Sequence, residues 1–500
     1  MDNRRWWVLG VLSTCLLMVA LDATILNVAL PSLVADLKLT SLEQLWVVNG
    51  YALVLAGFLV TMAALGDRTG RKRILCAGLV VFGLASLIPV LAPDPAALIA
   101  ARGLLGLGGA MIMPSTLSII RNTFDDERER TRALAIWATI AGVGAAIGPI
   151  LGGFLLEHFH WNSVFLVNIP IVLVTLAAGL YLIRESFTPS SARWDWTGVV
   201  LSCAGLAALV QGIKMTAKEG PFDWQSGGFF VLGVVLLALF ARRQLSQDDP
   251  MVDVRLFSSR SFSVGVAVYL LAMVGFGALM FLLTQWLQFV KGMSPMEAGL
   301  ALLPAPIASM AASLAGPRIL DRWPARTAMA AGIALLGAAL VVPSAVSAPG
   351  PVLVGISLAL MGFGLSLALI SSTVVIMAFA PPERTGGAAS IQETSYELGN
   401  VLGVAVLGSL TVALYRRWLD IPPGTPPGSV TAAQDSIGEA VLTAGTLPAP
   451  GGPALADAAR DAFSSAFSVT GVGVGIAMIL LAVAVFFLVP PVKATAAASH

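Results

Sequence analysis

Trp6 to Pro31 reads W-W-V-L-G-V-L-S-T-C-L-L-M-V-A-L-D-A-T-I-L-N-V-A-L-P, with one carboxylate, Asp22, and no Lys or Arg. About 20 apolar residues in a helix cross the hydrocarbon of a bilayer, so this run is long enough to span. No small-residue cleavage site ends it, which marks it as a retained helix and not a removable leader. The rest of the 500-residue chain has the same character: 57% is hydrophobic, 11% is charged, and 50 residues are glycine. Ordinary soluble proteins carry about 25% charged residues, so a water-soluble fold is excluded. A net charge of +1 offers no field to recruit nucleic acid. Cys15, Cys76 and Cys203 form no CxxC or Cys/His spacing and read as free packing residues.

Further apolar runs predict an all-α polytopic membrane protein with fourteen transmembrane helices. They fall at about 6–31, 45–65, 74–92, 96–120, 133–156, 163–183, 196–215 and 226–241, then about 262–289, 297–316, 326–347, 351–379, 387–415 and 466–489. With the N-terminus in the cytoplasm, 21 Lys and Arg fall on inside segments and 7 outside, with Arg102 within a helix. That bias supports the orientation, and an even number of spans puts both termini inside.

Gly66–Arg73 reads G-D-R-T-G-R-K-R after the second helix, and Gly316–Arg326 reads G-P-R-I-L-D-R-W-P-A-R after the tenth. Asp67-Arg68 and Asp321-Arg322 then occupy matching turns of two repeated halves, or are simply solvated charge in two cytoplasmic turns. The outer connection 416–465 carries I-P-P-G-T-P-P-G and L-P-A-P-G-G-P. Helix-like stretches near 431–444 and 454–467 suggest a short exposed hairpin, which either caps a vestibule or is a tolerated insertion.

Charges inside the helices carry the functional argument, because an ionisable group in hydrocarbon must face a bundle interior or a wet cavity. Asp22 and Arg102 reach similar depth, roughly 6 to 8 Å outside the midplane by helical rise, and can pair, either as a fixed clamp or as a pair that opens when Asp22 is protonated. Glu393 and Glu397 lie in G-G-A-A-S-I-Q-E-T-S-Y-E-L-G-N, Gly386 to Asn400, which is too polar to face lipid. Their spacing puts both on one helical face with Tyr396 and Asn400 close by, a site for loading protons or holding an organic cation. Trp46, Tyr51, Met113, Trp137, Phe281, Trp286 and Tyr396 offer cation–π and deformable surfaces, with Gln285 and Gln288 as polar partners. His158 and His160 lack partner ligands, so metal binding there is not expected. Gly144, Gly148, Pro149 and Gly152 in the fifth helix allow close backbone approach and a bend.

These residues also carry a resemblance. L-D-A-T-I-L-N-V-A-L-P from Leu21 resembles the first-helix signature of the 14-helix drug:proton antiporters of the major facilitator superfamily, and Gly144–Gly153 matches its G-x-x-x-G-P-x-x-G-G antiporter motif. Ala63–Arg73 resembles the cytoplasmic signature, which singles out Asp67, Arg68, Gly70 and Arg71, and Arg102–Ala110 resembles the fourth-helix motif. Ala63 and Leu105 depart from the residues usual at those places. L-L-E-H-F-H-W-N-S-V-F-L-V-N-I-P from Leu155 and E-T-S-Y-E-L-G-N from Glu393 resemble methyl viologen and quaternary ammonium exporters of Gram-negative bacteria.

The resemblance implies a major facilitator fold, with six-helix bundles over 1–190 and 246–500, two additional helices over 191–245, and the outer connection at 416–465. It implies a multi-pass transporter of the inner membrane, not an enzyme, without cofactor, metal, nucleic acid or obligate protein partner. The expected activity is proton-coupled export of lipophilic cations: quaternary ammonium compounds, dyes, biguanide antiseptics and methyl viologen. Asp22, Arg102, Glu393 and Glu397 would couple protons, and Glu397, Glu393, Asp22, Tyr396, Asn400, Trp46, Tyr51, Phe281, Trp286 and Gln285 would bind the cation. A same-fold exporter of a neutral antibiotic or metabolite is the alternative.

Overall fold

Polar residues flanking the apolar runs set where the helices begin. The computed structural model describes residues 4–124, 126–186, 195–219, 223–247, 250, 253–344, 350–380 and 385–491. Its long helices are α1 (Arg4–Leu37), α2 (Ser41–Thr69), α3 (Arg71–Leu91), α4 (Pro95–Thr123), α5 (Glu127–His158), α6 (Asn168–Leu182), α7 (Trp196–Glu219) and α8 (Trp224–Ser246). There follow α9 (Arg260–Gln285), α10 (Pro304–Arg322), α11 (Ala325–Ser344), α12 (Pro351–Ala378), α13 (Thr385–Leu402) and α14 (Gly451–Leu488). Thr40 and Glu43 close a capping box before α2, and Asp94, Asp126, Asp223 and Ser259 cap α4, α5, α8 and α9 with their side chains. First-turn N–H groups have no partner within the helix, so these caps supply one.

Thirteen helical segments among the described residues are long and apolar enough to cross a bilayer, and α5, with a shorter apolar stretch at Gly142–His158, stands where the remaining expected span lies. Exposed apolar residues mark the lipid face: Phe230, Val231 and Leu239 on α8, Leu173 and Leu180 on α6, Val469, Leu480 and Phe487 on α14. No strand occurs among the described residues, as expected where lipid offers no backbone partner.

Within the first half α1 packs on α5 and α6, while α4 packs on α2 and α3; in the second half α12 packs on α10 and α11, and α14 on α11. The helices α7 and α8 pack against each other, and α7 lies along α2. Below α7, Asp195 ties the pair together: it accepts from Gly198 N at 2.8 Å, Arg243 Nε at 2.7 Å, Gln244 Nε2 at 3.1 Å and Gln247 Nε2 at 2.9 Å. Burial pushes this carboxyl up, but the hydrogen bonds and the Arg243 charge outweigh it and hold the group below its ordinary value.

The helices α9 and α13 run side by side in the same direction. Gln392 donates to Tyr269 Oη at 3.4 Å, Asn400 lies against Gly277, Gly403 against the Val274 carbonyl, and Gly408 against Phe281, a nearly constant register. After Leu402, α13 widens into a π segment, Gly403–Gly408, and resumes as Ser409–Trp418.

The outer connection differs from the sequence expectation in its second element. Its short helices are Pro427–Asp435 and Ile437–Thr446, while the stretch near 454–467 forms the first turns of α14, because no Gly or Pro separates it from the apolar run that follows. The hairpin is packed and not free-standing: Ser41 N donates to Asp435 Oδ2 at 2.8 Å, Gln44 Nε2 to Ser436 Oγ at 3.3 Å, and Gly438 lies against Val34 and Phe289. At that same end Gln288 Nε2 donates to Val28 O at 3.0 Å, Gly299 meets the Pro149 carbonyl and Gly153 meets Met296. These contacts join the first half of the chain to the second.

Candidate functional site

Asp22 and Arg102 meet at the centre of the first half. Arg102 Nη1 lies 2.6 Å from Asp22 Oδ2, and both side chains are 2% exposed. The guanidinium also donates through Nε to Val47 O at 3.0 Å and sits 4.6 Å from the centroid of the Tyr51 ring. Asn168 Nδ2 donates to Asp22 Oδ1 at 3.2 Å and to Ser86 Oγ at 3.2 Å. One network therefore joins α1, α2, α3, α4 and α6. A buried charge persists only when paired and hydrogen-bonded on its remaining positions, and Val47 O and Asn168 provide those extra bonds. Asn168 and Ser86 were not among the candidates read from sequence. The available signal was a lone amide and a lone hydroxyl inside apolar runs, which is weak because such residues are common in helical bundles.

Glu397 is buried and Glu393 half-buried on α13, and neither has a hydrogen-bond or ion-pair partner among the described residues. Tyr396 faces Tyr269 with ring centroids 6.4 Å apart. Tyr51 is buried beneath the Arg102 guanidinium on α2, which packs against α13, and its Oη has no hydrogen-bond partner among the described residues. Leu45 lies against Gly408, and Gly50 against Arg102. By helical rise Glu397 is therefore about 9 Å deeper than the Asp22–Arg102 pair, away from the outer connection.

The remaining aromatic candidates separate from these carboxylates. Trp46 Nε1 donates to Gln211 Oε1 on α7 at 3.1 Å. In the α9–α13 register Phe281 and Trp286 lie about 15 and 22 Å beyond the level of Glu397, towards the outer connection. Trp286 donates to Ser464 Oγ at 3.3 Å, stacks on Phe467 at 6.1 Å and carries Lys291 Nζ 4.8 Å above its ring. It lines a cavity of about 230 Å³ within the second half, with Ser357 and Asp461 among the other lining residues. Gln285 is buried at the end of α9, and Asn400 packs its amide against Gly277.

The fifth-helix glycines make the close approaches their spacing suggests. A Cβ on Gly148 would collide with Thr24 Oγ1, and one on Gly144 would stand 2.7 Å from the Ala20 Cβ; Gly152 faces Ile25. The turn between α2 and α3 rests on Gly70, whose φ of +118° favours glycine and whose missing side chain leaves room for the Glu185 carboxyl. Arg71 N donates to Ser186 O at 3.0 Å and Lys72 N to Glu185 Oε1 at 3.0 Å, so α3 begins docked on the end of α6. Arg68 is half-buried and engaged; the side chain of Asp67 lies outside the described residues.

Comparison with known proteins agrees with this architecture. The sequence pattern of the Major Facilitator Superfamily matches residues 12–404. The chain is 40% identical to the multidrug efflux pump LfrA of Mycolicibacterium smegmatis, covering 96% of this chain and 95% of that protein. It is 38% identical to the methyl viologen resistance protein SmvA of Salmonella typhimurium, covering 97% and 98%. Among solved structures, a bacterial homologue of the human lysosomal transporter Spinster superposes with a TM-score of 0.67 at 15% identity, covering 100% of this chain and 98% of that one.

Proposed function

Because the chain belongs to the major facilitator superfamily and is a multi-pass membrane transporter of its multidrug-efflux kind, we propose that it expels lipophilic organic cations, methyl viologen and quaternary ammonium compounds among them, in exchange for protons. The observation that carries the reading is the buried Asp22–Arg102 pair standing about 9 Å above a buried Glu397 that has no partner among the described residues. A membrane-embedded carboxylate without a counterion demands either a proton or a cationic ligand, and the neighbouring pair supplies a group whose bonding changes when a proton arrives.

In this reading the inner membrane holds the protein with both termini in the cytoplasm. The six-helix halves, 1–190 and 246–500, flank α7 and α8, and Tyr51, Tyr396 and Asn400 line the route beside Glu393 and Glu397. Protonation of Asp22 weakens its hold on Arg102, whose freed charge then opposes a cation bound near Glu397. Cation and proton thus disfavour each other's binding, which is the requirement for exchange. The Gly144–Gly152 edge of α5 lets α1 and α5 slide past each other during the cycle.

Everted membrane vesicles containing the protein should accumulate ethidium when respiration acidifies their lumen and release it when a protonophore is added. Accumulation that persists after the proton gradient has been collapsed would overturn the exchange reading.

A further inference from the structure

Asn168 has one feature the ion pair alone does not explain. It is fully buried, both of its Nδ2 contacts are made, to Asp22 Oδ1 and Ser86 Oγ at 3.2 Å each, and its carbonyl Oδ1 has no partner among the described residues. A buried polar atom left without a partner is costly, and such an atom calls for an explanation. The Ser86 hydroxyl is equally ambivalent: it accepts from Asn168 while donating to Phe82 O at 2.9 Å, and a hydroxyl turns freely between partners.

We infer that Asn168 is a positioning residue that reads the proton on Asp22 by rotating its amide, with Ser86 as its counterpart. The inference rests on the proton-exchange reading above. With Asp22 ionised, the amide nitrogen faces two acceptors, the carboxylate and the Ser86 oxygen. When a proton from the outer solution binds Asp22 Oδ1, that site becomes a donor. A half-turn of the amide, which exchanges groups of nearly identical shape, then presents Oδ1 to the new O–H. Ser86 turns its own hydrogen from Phe82 O to the same oxygen. No covalent bond other than the new O–H forms, and the positive charge of the proton stays in the site. Arg102 keeps Val47 O but loses its ionic partner.

The charged and titratable groups nearest Asp22 are Arg102 from α4 and Tyr51 from α2, with Glu397 about 9 Å deeper on α13. The helices α3 and α6 present the uncharged Ser86 and Asn168, and α5 presents its glycines. Rotation thus keeps Asn168 bonded to both Asp22 and Ser86 in either charge state of Asp22, the unused half of the amide being Oδ1 in one and Nδ2 in the other, and the side chains of α3 and α6 follow the proton.

The test is methyl viologen-induced proton release from purified full-length protein, followed against pH, with binding of the same probe measured in parallel. Asn168→Asp places a second carboxylate against the first and should raise the pH midpoint of release by about one unit or more. Asn168→Leu should cut release about tenfold while leaving probe binding within about twofold, since neither charge state of Asp22 then finds its partner. Ser86→Ala should weaken release and Ser86→Thr restore it, a pair that decides the matter if the Asn168 variants fold poorly. An unchanged midpoint in Asn168→Asp, or equal release in Ser86→Ala and Ser86→Thr, overturns the inference. If Asp22→Asn releases protons as the unmodified protein does, the exchange reading itself has failed; if only the Asn168 and Ser86 variants are silent, the rotor alone is wrong.

Discussion

Asp22 on α1 and Glu397 on α13 are both buried, with Glu393 half-buried a turn away, yet the two regions are held in opposite ways. Asp22 has a guanidinium on one oxygen and an amide on the other, whereas Glu393 and Glu397 have no partner among the described residues. A satisfied ion pair changes state only when something competes for one of its members, and a proton is small enough to do so inside a closed network. An unpaired buried carboxylate instead has an open coordination site, and a bulky cation can fill it. On the proposed exchange reading, this contrast gives sensing to the first half and recognition to the second, with Tyr51 stacked under the Arg102 guanidinium on the helix that packs against α13.

The largest effect that could break this division belongs to the paired site. Arg102→Ala leaves Asp22 buried without its counterion and should lower stability by about 3–5 kcal/mol, read as a fall in the thermal unfolding midpoint. Asp22→Asn keeps the shape of the network and should reduce gradient-driven efflux to background while the protein still binds methyl viologen. If Asp22→Asn instead abolishes binding and leaves proton release intact, the two regions have exchanged roles.

A smaller and more selective effect is expected at the unpaired site. Glu397→Gln removes charge and keeps shape, so every cation should bind more weakly and a dication should lose more. A second positive charge about 12 Å from the carboxylate is worth about 1.4 kcal/mol at an effective dielectric near 20, about tenfold in affinity. Equilibrium binding of methyl viologen and of ethidium should therefore separate by about that factor. Equal loss for both probes would make Glu397 a proton carrier and dissolve the contrast.

The smallest effect on recognition should come from Trp286. Its place about 22 Å along α9 from the level of Glu397 predicts less than about a twofold change in methyl viologen affinity for Trp286→Ala. The loss of packing on Phe467 should still lower stability by about 3 kcal/mol. A tenfold loss of affinity in that variant would extend the recognition region to the outer cavity of the second half.

Trp286 also shows how sequence and fold divide the information. An aromatic residue near the end of an apolar run looks the same whether it lines a central path or a pocket on one side of a bundle, because hydropathy fixes depth along a helix and says little about azimuth. The same limit hid Asn168 and Ser86: a neutral polar residue in a span is inexpensive, and only the meeting of α1, α3 and α6 shows what it touches. Asp22, Arg102 and Glu397 were legible because a charge in hydrocarbon is too costly to place idly.

Sequence by itself thus determined the quantities set by local chemistry. These are a helical membrane protein with spans at the observed places, the four intramembrane charges, the glycine edge of α5 and the turn at Gly70. Tertiary structure decided what depends on which helices become neighbours: the 2.6 Å bond between Asp22 and Arg102, the lack of a partner for Glu397 among the described residues, the packing of the outer hairpin onto the first half, and the amide of Asn168 set between a carboxylate and a hydroxyl. The physical reason is that transfer from water to lipid acts on each residue separately and is written into the order of the chain. Pairing energies act between residues far apart in that order, here 80 positions for Asp22 with Arg102 and 146 for Asp22 with Asn168, and come into being only when the helices pack.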